Sequence, residues 1–129
     1  MNIKIYIVAS IIYMFIGVLF GAVISGGPLA DYVETEEGHW IENIHSFVSF
    51  NGFFALMLMG FSYFLIPQMT RRKIHSEKLV SSGFYIFNIG LIIMVISLAL
   101  GSLSSGMMAG GILLTLGYFI FGYNILKSL

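Results

Sequence analysis

A histidine near the start of a long apolar segment is the residue of this chain best suited to chemistry. Between His45 and Pro67 the sequence carries no charged side chain. An ionisable group in an apolar segment is costly to keep there, which makes His45 a functional candidate. At about 100° per residue, His45, Ser49 and Gly52 share one helix face. The small residues beyond the imidazole would leave room for a flat macrocycle, so we interpret His45 as a haem ligand with Ser49 and Gly52 beside the ring. An interfacial histidine that only packs or forms hydrogen bonds is the open alternative.

Two Glu-x-x-His spacings surround this position, Glu36/His39 and Glu42/His45. On a helix this spacing puts a carboxylate and an imidazole on one face, as in di-iron bundles. Gly38 interrupts the first pair, and the sequence offers no deep carboxylates of the di-iron kind. A divalent-metal site built from His45, His39 and Glu42 is therefore a secondary hypothesis.

Two adjacent methionines are candidates for a second haem ligand. Met107 and Met108 begin the last apolar segment at about the depth expected for His45, and a thioether can ligate haem iron. The absence of cysteine excludes disulfides, thiolate metal sites and covalent haem attachment. Motifs for hydrolase or phosphoryl-transfer chemistry are also missing. With no complete catalytic site in view, enzyme activity stays an open question and any chemistry must come from a cofactor.

The elements that position these residues are membrane-spanning helices. Hydrophobic residues make up 58% of the chain and charged residues 9%, with a mean hydropathy of +0.96, which is typical of a protein dissolved in lipid. Four apolar runs are long enough to cross a bilayer as helices: Ile3–Ser25, Asn43–Ile66, Leu79–Gly101 and Gly106–Leu126. The sequence predicts an all-α polytopic membrane protein whose residues 1–129 form a single four-helix domain.

Charge distribution predicts the orientation of these helices. With four crossings, the basic residues all fall on one side: Lys4, Arg71, Arg72, Lys73, Lys78 and Lys127. The positive-inside rule then places both termini in the cytoplasm of a prokaryotic-type inner or plasma membrane. Five of the six acidic residues lie in the first connection, which would face outward and could dock a positively charged redox partner. The formal net charge of zero gives no reason to expect a nucleic acid.

Glycine and serine recur at helical spacing in the first, third and fourth runs. Gly17 and Gly21 are four residues apart, as are Gly106 and Gly110. Such stripes let helix backbones approach closely in lipid. We expect a homo-oligomer held by these faces, with a trimer preferred over a dimer.

The second run resembles the second helix of haem–copper oxidase subunit I, including its nitric-oxide reductase branch. The shared pattern is a histidine near the outer end (His45), a glycine about two turns later (Gly52), a second glycine (Gly60) and an aromatic exit that ends at Pro67. The third run, with Gly90 and Gly101, is similar to the next helix of that family. The whole chain would then correspond to the first third of a twelve-helix subunit.

The resemblance implies a function as well as a fold. His45 matches the family's low-spin haem ligand, which implies a noncovalent b-type haem and electron transfer or binding of O2 or NO. The family's copper-site histidines come from later helices, so copper is not expected here. Its three arcs of four helices imply that a free four-helix unit could rebuild the ring as a homotrimer. A cofactor-free accessory or assembly subunit of a respiratory membrane complex is the alternative.

Overall fold

The computed structural model describes residues 3–26 and 29–129, and the regular secondary structure of these residues is entirely helical. The elements are α1 (Lys4–Ile24), α2 (Ala30–Val33), α3 (His39–Phe47), a π-helical segment (Val48–Ala55), α4 (Leu56–Thr70), α5 (Glu77–Ala99) and α6 (Ser104–Leu126). The third to fifth of these elements form one continuous helix, His39–Thr70, which we call span two. With α1, α5 and α6 it makes four helices long and apolar enough to cross a membrane. The expected all-α fold with four candidate spans is confirmed.

Span two is longer than the apolar pattern indicated. It begins at His39 rather than Asn43 and ends at Thr70 rather than Ile66. Hydropathy marks only the part of a helix that suits lipid, whereas the backbone hydrogen bonds continue into polar residues at both ends. The helix passes Pro67 and ends at Arg71, which has a left-handed φ of 55°.

The four spans alternate in direction, so the molecule has two chemically different ends. At the basic end, the Tyr6 hydroxyl donates to the carbonyl of Val80 (2.8 Å), and the Arg72 guanidinium donates to the carbonyl of Leu129 (2.9 Å). The first residues of α1 and α5 therefore meet the last residues of span two and α6. The acidic end carries the connection between α1 and span two and the short turn between α5 and α6. We use these two names below.

Glycines bring the helices into backbone contact in two pairs. In the α5–α6 hairpin, a Cβ on Gly90 would lie 2.8 Å from the Leu114 backbone nitrogen, and one on Gly110 would lie 2.9 Å from the Gly90 carbonyl oxygen. In the α1–span two pair, Gly17 faces Ser49. The predicted small-residue stripes are thus used for packing within one chain.

Aromatic side chains join the two pairs into a bundle. A core of ten buried residues lies towards the basic end, with Tyr6, Tyr63, Phe87 and Leu91 among them. Midway along the helices, Tyr13 of α1 donates a hydrogen bond to the Asn88 side-chain oxygen of α5 (3.0 Å). Helices α1 and α5 therefore meet mainly through long side chains. Span two, in contrast, packs directly against both α1 and the α5–α6 hairpin.

Side chains also fix the start of α5 at the basic end. The hydroxyl of Ser76 accepts from the Leu79 backbone N–H, a normal N-cap. The Asn124 amide bonds to both the N–H and the carbonyl of Ser76, each at 3.0 Å. These contacts tie the loop after span two to the end of α6.

Candidate functional site

The face of span two that carries His45, Ser49 and Gly52 lies against α1. A Cβ on Gly17 would be 2.6 Å from the Ser49 hydroxyl oxygen, and a Cβ on Gly52 would be 2.6 Å from the Tyr13 ring. The space beside Ser49 and Gly52 is therefore filled by another helix of the same chain. Within the described residues, this face of span two is therefore in contact with α1.

The imidazole of His45 has a defined hydrogen bond within this seam. Its Nδ1 lies 2.8 Å from the carbonyl oxygen of Gly17. Because a carbonyl can only accept, Nδ1 carries a proton, and the neutral tautomer that satisfies this bond has its lone pair at Nε2. Within residues 3–26 and 29–129, no protein group is bonded to Nε2. Histidines that ligate metals are commonly oriented in this way, with the other ring nitrogen donating to a carbonyl.

The half-buried His45 ring lies over Gly21, where an added Cβ would be 2.9 Å from the ring carbon Cε1. The four best-defined clefts of the described residues run elsewhere, and His45 lines none of them. The chemistry of the donor atom thus fits an axial ligand, whereas the surrounding chain does not enclose a haem.

The other predicted ligands are not assembled around His45. His39 is the first residue of α3 and is exposed, so Glu36 and His39 do not share a helix. Glu42 lies on α3 with His45 but is also exposed. Among the described residues, no three side chains of the His, Cys, Asp or Glu types come close enough to hold one ion.

Met107 lies on the side of span two that faces away from α1. Met107 is half-buried and packs against Ile44, Val48 and Leu98, and it lines a cleft beside Phe47. Met108 is 68% exposed. Since His45 faces α1, the structure does not bring either thioether to its Nε2.

The most unusual backbone in the molecule follows directly after α3. The segment Val48–Ala55 is π-helical, and such segments are rare and often occur at functional sites. Within it, the Asn51 amide nitrogen donates to the Phe47 carbonyl (3.3 Å), and the Asn51 side-chain oxygen accepts from the Tyr118 hydroxyl of α6 (2.8 Å). Asn51 is a polar residue within the second apolar run, and the pattern of that run alone assigns it no role. The sequence signal for a role of Asn51 was Tyr118, a possible hydrogen-bond partner in the fourth apolar run.

Comparison of the chain with protein-family models, with characterised proteins and with solved structures found no match. Its function is therefore argued from its own residues.

Proposed function

We propose that this chain is a membrane-embedded subunit whose His45 binds the iron of a noncovalent b-type haem through Nε2. The single observation that carries the proposal is the hydrogen bond from Nδ1 to the Gly17 carbonyl, because it fixes the tautomer whose Nε2 lone pair is free for a metal. The resemblance of span two to the haem-ligating helix of haem–copper oxidases supports the same residue. A bound haem would supply electron transfer or the binding of a diatomic gas.

Of the residues that the sequence predicted to hold the haem, this proposal keeps His45. Ser49 and Gly52 are left out because α1 covers them, Met107 because it lines another cleft, and Met108 because it is exposed. The chain's own part is to hold one imidazole in a fixed tautomer near the acidic end. A second copy or a partner subunit would have to cover the ring, so the proposal includes association.

The test is the absorption spectrum of protein purified after expression with sufficient haem. We expect a Soret band with low-spin features. The band should disappear in two variants, each of which keeps a polar atom near only one of the two ring-nitrogen positions. His45→Asn keeps a donor near the position of Nδ1, whereas His45→Gln keeps a polar atom near the position of Nε2. Loss of the band in both variants, with an unchanged helical circular dichroism spectrum, supports the ligand role. His39→Ala and His75→Ala are the matched controls and should leave the band unchanged.

The proposal fails if haem-replete protein lacks a Soret band, or if His45→Ala keeps the wild-type spectrum. A divalent metal at His45, His39 and Glu42 stays a separate prediction. It would appear as bound metal in elemental analysis with no Soret band.

A second function, that of a cofactor-free accessory or assembly subunit, is favoured by a different observation. Helix α1 contributes few buried residues, Tyr6, Ser10 and Gly17, and six of its large apolar side chains are exposed: Val8, Ile11, Ile12, Phe15, Val18 and Leu19. In this role the bond between His45 and Gly17 only anchors α1, and the exposed face of α1 packs on a larger membrane complex. His45→Asn would then restore the stability that His45→Ala loses, and neither would change any spectrum.

A further inference from the structure

A cleft between span two and the α5–α6 hairpin is the strongest feature that the proposed function does not use. It has a volume of about 490 Å³ and is lined by Phe47, Phe50, Met94 and Met107, among others. A second cleft of about 320 Å³ continues from it and shares Phe50 and Asn51. Together they form one groove on the side of span two away from His45. We call it the Asn51 groove.

The lining of the Asn51 groove changes from polar to apolar along its length. Near the acidic end it is lined by Asn43, Ser46 and Ser102, which are polar but uncharged. Deeper in, its walls are the stacked rings of Phe50 and Phe54, with centroids 5.8 Å apart. Twelve helical residues from Asn43 to Phe54 span roughly 16 Å, and the lining continues beyond them to Met59. The part as far as Phe54 is about half of the ~30 Å hydrocarbon thickness of a bilayer, so it matches the depth of one lipid leaflet.

The Asn51 amide keeps unused hydrogen-bonding capacity at the middle of the groove. One of its two N–H groups bonds to Phe47, and its oxygen accepts one bond from Tyr118. The second N–H and the second lone pair have no partner within residues 3–26 and 29–129. Polar groups without partners are costly in hydrocarbon, so an occupant able to shield or bond this amide is stabilised there.

Charge at the acidic end of the molecule, where the groove opens, selects among lipids. Asp31, Glu34, Glu36, Glu37 and Glu42 lie at the acidic end, and the sequence from Ile5 to Thr70 contains no lysine or arginine. An anionic headgroup would meet like charges and no basic partner. A headgroup with an ammonium and no net negative charge would be attracted.

We propose that the Asn51 groove binds one chain of a zwitterionic phospholipid, with its ester region at Asn43, Ser46 and Ser102 and its acyl chain along Phe50 and Phe54. The site would hold this lipid longer than the lipids that merely surround the helices. The proposal is independent of haem, since it uses the other face of span two.

The test is electron paramagnetic resonance of the wild-type protein in phosphatidylcholine vesicles with spin-labelled phosphatidylethanolamine or phosphatidylglycerol. We expect a motionally restricted component for the ethanolamine lipid at least twofold larger than for the glycerol lipid. Ser46→Phe should fill the mouth of the groove. It should remove at least half of the amount by which the restricted component of the ethanolamine lipid exceeds that of the glycerol lipid. Ser81→Phe is the matched control, because Ser81 is exposed on α5 and lines none of the four clefts.

Asn43→Phe fills the same mouth from another exposed position and replaces Ser46→Phe if that variant does not fold. An equal restricted component in the wild type and both filling variants overturns the proposal, as does a preference for phosphatidylglycerol. If the filling variants instead lower the oligomer mass and leave the lipid signal unchanged, the groove holds a second copy of the chain and the lipid assignment is wrong.

Discussion

At the scale of single residues, Gly52 is the position where the backbone of span two lies against the Tyr13 ring of α1. Its missing side chain makes space for Tyr13, and the Tyr13 hydroxyl is itself held by Asn88 of α5. The ring cannot turn away without losing that hydrogen bond in an environment that offers few replacements. One glycine therefore links the packing of three helices.

Replacing Gly52 by Ala should lower the free energy of unfolding by about 1–3 kcal/mol, the usual cost of overpacking, because the added Cβ would press on the Tyr13 ring. The measurement is unfolding in mixed micelles with increasing dodecyl sulfate. Gly122→Ala is the control, since a Cβ there would have no contact within 4 Å. If the two variants unfold at the same detergent fraction, Tyr13 does not depend on Gly52 for its position.

The sequence identified His45 but could not distinguish a cofactor groove from a helix seam. Small residues at Ser49 and Gly52 are equally suited to a macrocycle and to another helix. The decision depends on α1, where Gly17 and Gly21 present a complementary surface that includes the Gly17 carbonyl, the acceptor for His45. Spacing within one run contains no information on which facing run will dock there.

At the scale of elements, the α5–α6 hairpin is the most closely packed pair in the molecule. At the crossing of Gly90 and Gly110, the nearest atoms are backbone atoms of the opposite helix. Backbone cannot be moved aside by a change of rotamer, so the two helices would have to separate to admit a side chain.

Two adjacent glycines of α6 allow a sharp test of this crossing. Gly110→Ala would place a Cβ 2.9 Å from both the Gly90 oxygen and the Met94 nitrogen, whereas the nearest atom at Gly111 is the flexible Met94 methyl at 3.7 Å. We expect Gly110→Ala to destabilise the protein by about 1–3 kcal/mol and Gly111→Ala to be neutral or slightly stabilising. Thermal unfolding in mild detergent, followed by circular dichroism, measures both. A similar loss in the two variants would contradict the assigned crossing.

The existence of the four long helices followed from apolar run length, because lipid requires every backbone polar group to be bonded within the segment. Their ends were less predictable. The start of α5 at Glu77 depends on the Ser76 cap and on Asn124, which lies almost fifty residues later. The π-helical segment had no signature in the apolar pattern, because its Asn51 bond to Tyr118 is a tertiary contact.

At the scale of the whole molecule, the separation of charge between the two ends predicts how the bundle is oriented. Both described chain ends, Ile3 and Leu129, belong to the basic end, which also carries Arg71, Arg72 and Lys73. The positive-inside rule therefore predicts that this end is cytoplasmic.

Single cysteines can test that orientation cleanly because the chain has none of its own. In intact cells, a membrane-impermeant maleimide should label Glu37→Cys, while Lys73→Cys should react only after the membrane is opened. Labelling of both positions from the same side would contradict the crossing of the membrane by span two, which lies between them. Labelling of Lys73→Cys alone would reverse the orientation.

The homotrimer was expected to form through the small-residue stripes, but it would have to form through another surface. Gly90, Gly110 and Gly117 are used inside the hairpin, so we assign the contact to an exposed apolar face, that of α1, which includes Ile12, Phe15 and Leu19. We expect native mass spectrometry in mild detergent to give a multiple of the 14.3 kDa chain, with three copies preferred over two. Phe15→Ala should shift the population towards the monomer if α1 is the contact, and a strictly monomeric wild type would contradict association.

Trp40 gives this protein a built-in fluorescent reporter. It is the single tryptophan of the sequence, and its ring meets Phe20 of α1 edge-on, with centroids 6.4 Å apart. Its emission therefore comes from one place, the junction of α1 and α3, a few residues from His45. Separation of the two helices would shift that emission to longer wavelength without any added label. A haem bound to His45 would quench the same emission by energy transfer. A single fluorescence experiment could therefore detect both helix separation and cofactor binding.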